Sequence, residues 1–234
     1  AITLHSRGWR VLATCRSKSD CENLKKFGIE SFPLDLSDEE SISSAVEIIT
    51  QKTSGKLDAM FNNGDVATPG AIQDLPRTAI REIFEVNVFG QFDLINRCFP
   101  LLLNTKDPRI INCSSVLGFI SLPYRGVYSG TKFALEALTD AMRRENYKTP
   151  IKIILLQPGP INTLIRKNSI KHFKKWVKWD KSYHKETYKE IVIKRLNGEF
   201  EKNLLDKFEL KPDSVTEILE KALLSKNPKI RYLI

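Results

Sequence analysis

Short apolar runs alternate with helical patterns along this chain, and that alternation limits the fold more than any other feature. Residues 9–14 (WRVLAT) and 29–34 (IESFPL) read as short buried strands. Residues 57–61 (LDAMF) read as a third and end in Asn62-Asn63-Gly64, and residues 109–113 (RIINC) as a fourth. Residues 151–157 form a fifth that stops at Pro158-Gly159-Pro160, and 229–234 suggest a last. Helix signals fill the gaps. Ser37 with Glu40 three residues later is a capping-box pattern, followed by Ile42, Ala45, Val46 and Ile49 at helical spacing. Pro76 opens a long helix that turns Ile80, Ile83, Phe84 and Val88 inward, and residues 128–144 are helical again. Strand and helix recur every roughly 25–40 residues, the pattern of βαβ units whose parallel sheet is covered on both faces. The expected fold class is α/β, with a doubly wound parallel sheet.

In such sheets ligands bind beyond the carboxyl ends of the strands, where the strand order reverses. Arg16, Asp35, Asn62, Ser115 and Pro158-Gly159 all stand just after strands. Residues 1–8 read as the back half of a helix stopped by Gly8. The strand and glycine-rich turn that usually precede such a helix are not in the sequence, and the expectation is that it is a fragment. With 234 residues there is enough chain for one domain with a full core. The 41% hydrophobic and 28% charged content argues against a disordered or fibrous chain. No apolar run approaches the ~18 residues needed to span a bilayer. The first ten residues show no charged-then-apolar signal pattern. Cys15, Cys21, Cys98 and Cys113 form no C-x-x-C pair, and His5, His172 and His184 are scattered, so a reduced, cytoplasmic chain without a metal site is expected.

The spacing of Tyr128 and Lys132 carries the first chemical signal. Residues four apart share a helix face. An ammonium beside a phenol favours the phenolate, so the tyrosine would exchange protons nearer neutrality. A solvated helix face would show the same spacing. Ser115 lies thirteen residues before Tyr128, just past the fourth strand. Its hydroxyl suits a substrate oxygen, although a serine closing a strand as a turn is common. Asn87 falls mid-helix, where a buried amide must find partners; it either props backbone or water in the interior or lies exposed.

Together these residues resemble the short-chain dehydrogenase/reductase family, over nearly the whole chain. Asp35-Leu36 is similar to the family's adenine-contacting Asp, and Asn62-Asn63-Gly64 to its Asn-Asn-Ala-Gly motif. Asn87, Ser115, Tyr128 and Lys132 match its catalytic tetrad. Pro158-Gly159-Pro160-Ile161-Asn162-Thr163 resembles the Pro-Gly motif whose backbone and Thr hold the nicotinamide carboxamide. Residues 61–163 look most like bacterial NADP-dependent aldehyde/ketone reductases and related steroid and retinol dehydrogenases, through Phe133-Ala-Leu-Glu136 and the loop at 122–126 (LPYRG). The resemblance implies one Rossmann-type dinucleotide-binding domain over 1–234, with 164–208 a variable substrate lid. It implies a small-molecule carbonyl or alcohol substrate, and a homodimer or homotetramer formed through the helices that carry Asn87 and Tyr128. By resemblance, Tyr128 is the general acid for reduction and the base for oxidation. Lys132 lowers its pKa and binds the nicotinamide ribose, Ser115 holds the substrate carbonyl, and Asn87 anchors a water in the proton relay.

After the second strand of such a fold, an acidic residue would bond the ribose 2′-hydroxyl of NAD, and a basic one would favour the 2′-phosphate. Arg16 and Ser17 stand there, so NADP(H) is expected over NAD(H). Asp65 departs from the family pattern, which has a small residue at this point. A carboxylate there would mildly repel the cofactor's diphosphate-ribose side unless it points to solvent. The missing glycine-rich turn supports an alternative reading, a truncated non-catalytic relative that acts in nucleotide sensing or interaction.

The net charge of +9 is concentrated in one segment: residues 165–195 hold eleven Lys or Arg and three acidic residues. Phe173, Trp176, Val177, Tyr183 and Tyr188 interleave with the lysines. The reading is an amphipathic lid helix with Phe173 and Trp176 facing substrate. Peripheral contact of 166–195 with anionic lipid is the second reading. Nucleic acid is disfavoured because no recognised binding motif is present.

Overall fold

The computed structural model describes residues 1–199 and 208–234. Six parallel strands appear among them: β1 (Leu12–Cys15), β2 (Glu30–Pro33), β3 (Ala59–Asn62), β4 (Arg109–Cys113), β5 (Lys152–Gln157) and β6 (Arg231–Leu233). They form two ladders, β1-β2 and β3-β4-β5-β6, and no described strand bonds β1 to β3. Within each ladder the strands pair in chain order and in parallel, with helices between them, as in an α/β sheet. In the larger ladder Met60 pairs with Ile110, and Ile110 with Ile153.

The helices are α1 (Ile2–Ser6), α2 (Lys18–Lys25), α3 (Glu39–Thr53), α4 (Arg77–Phe84), α5 (Gly90–Leu103), α6 (Gly126–Glu145), α7 (Ile165–Trp176), α8 (Lys185–Thr187), α9 (Lys194–Asn197) and α10 (Pro212–Leu224). The alternation of side chains along each strand sorts the layers. Ile110 and Ile153 point to one face, where they pack with Ile42, Ala45 and Ile49 of α3 and Ile95, Cys98 and Leu102 of α5. Phe32 and Leu34 enter that same core, so both ladders share it. Ile111 and Ile154 point the other way, against Leu219 and Ala222 of α10, with Leu4 of α1 alongside. Each of the isoleucines, leucines and Phe32 in these cores, once removed from water, contributes about 1.5–3 kcal/mol.

Local chemistry moves some element ends. Strand β1 starts at Leu12 rather than residue 9, because Trp9 belongs to the turn after α1. Its N–H donates to the Leu4 carbonyl, and its indole donates to Glu220 at 3.0 Å. Helix α3 is capped by Asp38 rather than Ser37: the Asp38 carboxylate accepts from the Glu40 amide at 3.0 Å, whereas the Ser37 hydroxyl donates to Asp35. The long helix expected after Pro76 is α4 and α5 joined by a π-helical turn at Glu85–Phe89. Where it resumes, Gly90 lies flat on the Leu36 carbonyl; a Cβ there would stand 1.8 Å from that oxygen.

Residues 165–197 pack onto α4 and the start of α6. Phe173, Val177, Tyr188, Val192 and Leu196 share a third core with Leu75, Ala79, Ile83 and Val127. Tyr188 anchors the segment: its hydroxyl accepts from the Ala71 amide at 2.7 Å and donates to Asp74 at 2.8 Å. Residues 200–207 of the expected lid lie outside the described residues.

Candidate active site

Lys132 fixes the site. Its side chain is 1% exposed and donates from Nζ to the Cys113 carbonyl at the end of β4, at 2.7 Å. A buried ammonium is costly unless paired, and the pairing here is with Asp65: Nζ lies 2.9 Å from Oδ2. Tyr128, one turn earlier on α6, donates from Oη to the same Asp65 oxygen at 2.9 Å. The spacing of four therefore does bring phenol and ammonium together, with Nζ 5.5 Å from the ring centre. Asp65 reverses the expected electrostatics, however. Burial first, and then the Asp65 carboxylate, push the Tyr128 phenol well above its ordinary value; Arg125 opposes them. The sequence alone marks Asp65 as a departure and leaves it either mildly repelling the cofactor or facing solvent. The structure turns it inward onto Tyr128 and Lys132.

Asn87 sits in the π-helical turn, 0% exposed. Its Oδ1 accepts from the Val66 amide at 2.8 Å, and its Nδ2 donates to the Val66 carbonyl at 2.9 Å and to Thr131 Oγ1 at 3.1 Å. It props backbone: both of its amide hydrogens go to protein oxygens, the Val66 carbonyl and the Thr131 hydroxyl. Ser115 caps the short turn Val116–Gly118, accepting from the Leu117 amide at 3.1 Å. The Val116 amide donates to the Pro158 carbonyl at 2.9 Å, which ties this turn to the Pro-Gly segment after β5. Asn62 is buried and donates to Asn112 Oδ1 at 2.8 Å, a side-chain bond between β3 and β4.

A cavity of about 400 Å³ opens beside Asp65. Arg16, Asn63 and Gly64 line it from the strand ends, and Asn168, Ser169, Lys171 and His172 line it from α7. The exposed Arg16 guanidinium has no partner among the described residues, which fits an anionic ligand. Ser17 is already engaged: it caps α2, accepting from the Asp20 amide at 3.1 Å and donating to the Asp20 carboxylate at 2.6 Å. Asp35 accepts from the Ser37 amide and hydroxyl, while Leu36 packs against Gly64. The Gly159 amide donates to the Ile234 carbonyl at 2.8 Å. Ile161 bridges to Leu210, and Thr163 Oγ1 accepts from the Ile165 amide at 3.3 Å. Phe173 and Trp176 do not line the cavity. Phe173, 4% exposed, packs against Tyr188 with ring centres 5.8 Å apart and planes tilted by 50°, and Trp176 packs at the edge of that core under the Lys175 ammonium. Tyr183, also expected on the lid's aromatic face, is 96% exposed.

A family model described as short chain dehydrogenase matches residues 1–173. The chain belongs to that family. As a short-chain dehydrogenase it is an oxidoreductase of alcohol and carbonyl groups. It is 31% identical over 232 residues to the oxidoreductase YbbO of Escherichia coli, covering 99% of this chain and 78% of that one. It is 30% identical to the NADPH-dependent 3-dehydrocapnine reductase of Ornithobacterium rhinotracheale, over 98% of this chain and 80% of that one. Human retinol dehydrogenase 16 is also 30% identical, over 99% and 74%. Among solved structures, a short-chain dehydrogenase from Streptomyces avermitilis superposes with a TM-score of 0.79 at 21% identity, covering 99% of this chain and 80% of that one, which speaks to the fold. No helix among the described residues is long and apolar enough to cross a membrane.

The residues that sequence reasoning missed in this dehydrogenase are Gln91, Thr131 and the polar edge of α7. Gln91 Nε2 donates to the Gly64 carbonyl at 2.8 Å, and Thr131 Oγ1 receives the Asn87 amide. Gln91 follows Asn87 by four residues, the same helix-face spacing that singled out Tyr128 and Lys132.

Proposed function

We propose that the protein is an NADP(H)-dependent oxidoreductase that reduces an aldehyde or ketone, or oxidises the corresponding alcohol. The observation that carries this reading is the buried Lys132, anchored to the end of β4 beside Tyr128. Ionisable groups gathered in that way mark functional sites. Tyr128 delivers a proton to the carbonyl oxygen in reduction and accepts one in oxidation. Lys132 holds the ribose of the cofactor and the charge balance around Tyr128. Ser115, at the end of the same strand, holds the substrate oxygen. Asn87 fixes the backbone at Val66 and with it the loop that follows β3. A bound reduced nicotinamide supplies the hydride.

Arg16 is the group that would favour NADP(H), because its free guanidinium suits a phosphate ester better than a hydroxyl. The backbone around Asn63-Gly64, the Asp35-Leu36 turn and the Pro158–Thr163 segment would hold the rest of the dinucleotide. The exposed Phe89, Phe133 and Leu138 on and beside α6 support assembly into a homodimer or homotetramer.

The second reading is a relative that binds nucleotide without turnover. Asp65 favours it, because its carboxylate engages the donors that ribose and substrate would use.

The test uses full-length protein with NADPH, NADH and a panel of aldehydes. Turnover with tighter NADPH binding supports the enzyme, and binding without turnover on any carbonyl or alcohol supports the second reading. Arg16→Ala should narrow the preference for NADPH by about 1–3 kcal/mol, the worth of one charge-assisted hydrogen bond. Equal affinities for the two cofactors in the unmutated protein would remove the role given to Arg16.

A further inference from the structure

Asp65 is the charged group in the site that the proposed reaction does not call for, and its backbone is clamped on both sides. Before it, the Gly64 carbonyl accepts from Gln91 Nε2 at 2.8 Å. After it, both backbone groups of Val66 are bonded to Asn87. Asn87 is tied through Nδ2 to Thr131 Oγ1, and that hydroxyl donates to the Tyr128 carbonyl at 2.7 Å. The loop carrying Asp65 is therefore fixed to the same helix that presents Tyr128 and Lys132. Its side chain is 19% exposed, and one oxygen, Oδ2, receives both the phenol and the ammonium at 2.9 Å. A side chain swinging in solvent would not be held by two buried amide side chains flanking its own peptide.

We propose that Asp65 is a positioning residue for proton transfer: its clamped carboxylate neutralises Lys132 and holds Tyr128 as a phenol, so that Tyr128 accepts a proton only in more alkaline solution than Lys132 alone would require. The inference rests on the reading of Tyr128 as the proton-transfer group. Its physics is that of two acids sharing one cation. Without Asp65, a phenolate at Tyr128 would be the counter-ion of the buried Lys132. With Asp65 present, a phenolate places two anions against one ammonium at hydrogen-bond distance, and the pair resists taking the second negative charge. The other groups facing Tyr128 do not restore the balance. Arg125, at the start of α6, pulls the phenol down, but less than burial and Asp65 raise it. The Cys113 thiol at the end of β4 is pushed up to about 11 by burial and stays neutral. A site resting in this state is set to give a proton, as carbonyl reduction requires, and is a poor base for alcohol oxidation near neutrality.

The test is a titration of tyrosine absorbance against pH in full-length, cofactor-free protein. Four proteins are compared: wild type, Asp65→Asn, and each of these with Tyr128→Phe added. Subtracting each Tyr128→Phe partner isolates Tyr128 from the other tyrosines. The wild-type difference should show no Tyr128 ionisation up to about pH 10. The Asp65→Asn difference should show a midpoint lower than wild type by about one unit or more, which is tenfold or more phenolate at a fixed pH. The pH profile of alcohol oxidation should move the same way. Far-ultraviolet circular dichroism checks the fold, and Asp65→Ala replaces Asp65→Asn if the latter does not fold. A Tyr128 midpoint unmoved by either variant overturns the proposal, even in an active enzyme. A shifted midpoint in a protein without turnover shows that Asp65 holds Tyr128 as a phenol, but it sinks the proposed function and with it the proton-transfer role.

Discussion

Asn87 and Val66 exchange two hydrogen bonds, at 2.8 and 2.9 Å, so that a side-chain amide pairs with a loop residue as a strand would. Replacing Asn87 with Ala leaves a buried N–H and a buried C=O without partners. Each costs about 1–3 kcal/mol, so the chemical-denaturation midpoint should fall by the equivalent of several kcal/mol. Asn87→Asp keeps the shape but has no hydrogen to give the Val66 carbonyl, and it should be destabilised as well. A midpoint unchanged in both variants would remove the clamp.

Phe173 lies in the core with Tyr188 and Val127 rather than over the cavity. Phe173→Ala should therefore cost about 3–5 kcal/mol of stability. Among the molecules that stay folded, the KM for bulky carbonyls should rise no more than that for small ones. Thermal unfolding and steady-state kinetics on two substrates of different size measure both. A selective rise in KM for the bulky substrate would return Phe173 to the substrate pocket.

The first two-thirds of the fold was legible because each strand there is a compact apolar run closed by a turn residue. Of the expected tetrad, Ser115 stands out in the sequence because it follows a strand end, and Tyr128 with Lys132 because they share one helix face; Asn87 lies in the π-helical turn, where neither signal applies. The lid was not legible. Its aromatics recur at helical spacing, and that spacing says which residues share a face without saying what the face meets. In the structure the face of α7 bearing Phe173 meets the α4–α6 core, and the cavity takes the polar edge at Asn168, Ser169 and His172. Asp65 was legible as a departure and illegible in direction, because its aim is set by Gln91 and Asn87, more than twenty residues away in the chain.

Glu30 carries a pH signature of its own. Hydrogen bonds from Arg10 and Lys52 hold its carboxyl down from 4.5 to about 2. A depressed folded-state pKa stabilises the protein above the unfolded value, and that contribution is lost as pH falls from about 4.5 toward 2. Glu30→Gln should therefore be less stable than wild type at neutral pH, and the gap should close across that window. A gap that stays constant down to the lower limit would mean that the two cations do not act on Glu30.

Tyr128→Phe removes one hydroxyl from a packed ring and so isolates the proton transfer assigned to Tyr128. Full-length Tyr128→Phe should keep its fold and its binding of NADPH, while aldehyde reduction slows by about a hundredfold or more. Reduction at a rate near that of the unmutated protein would contradict that assignment.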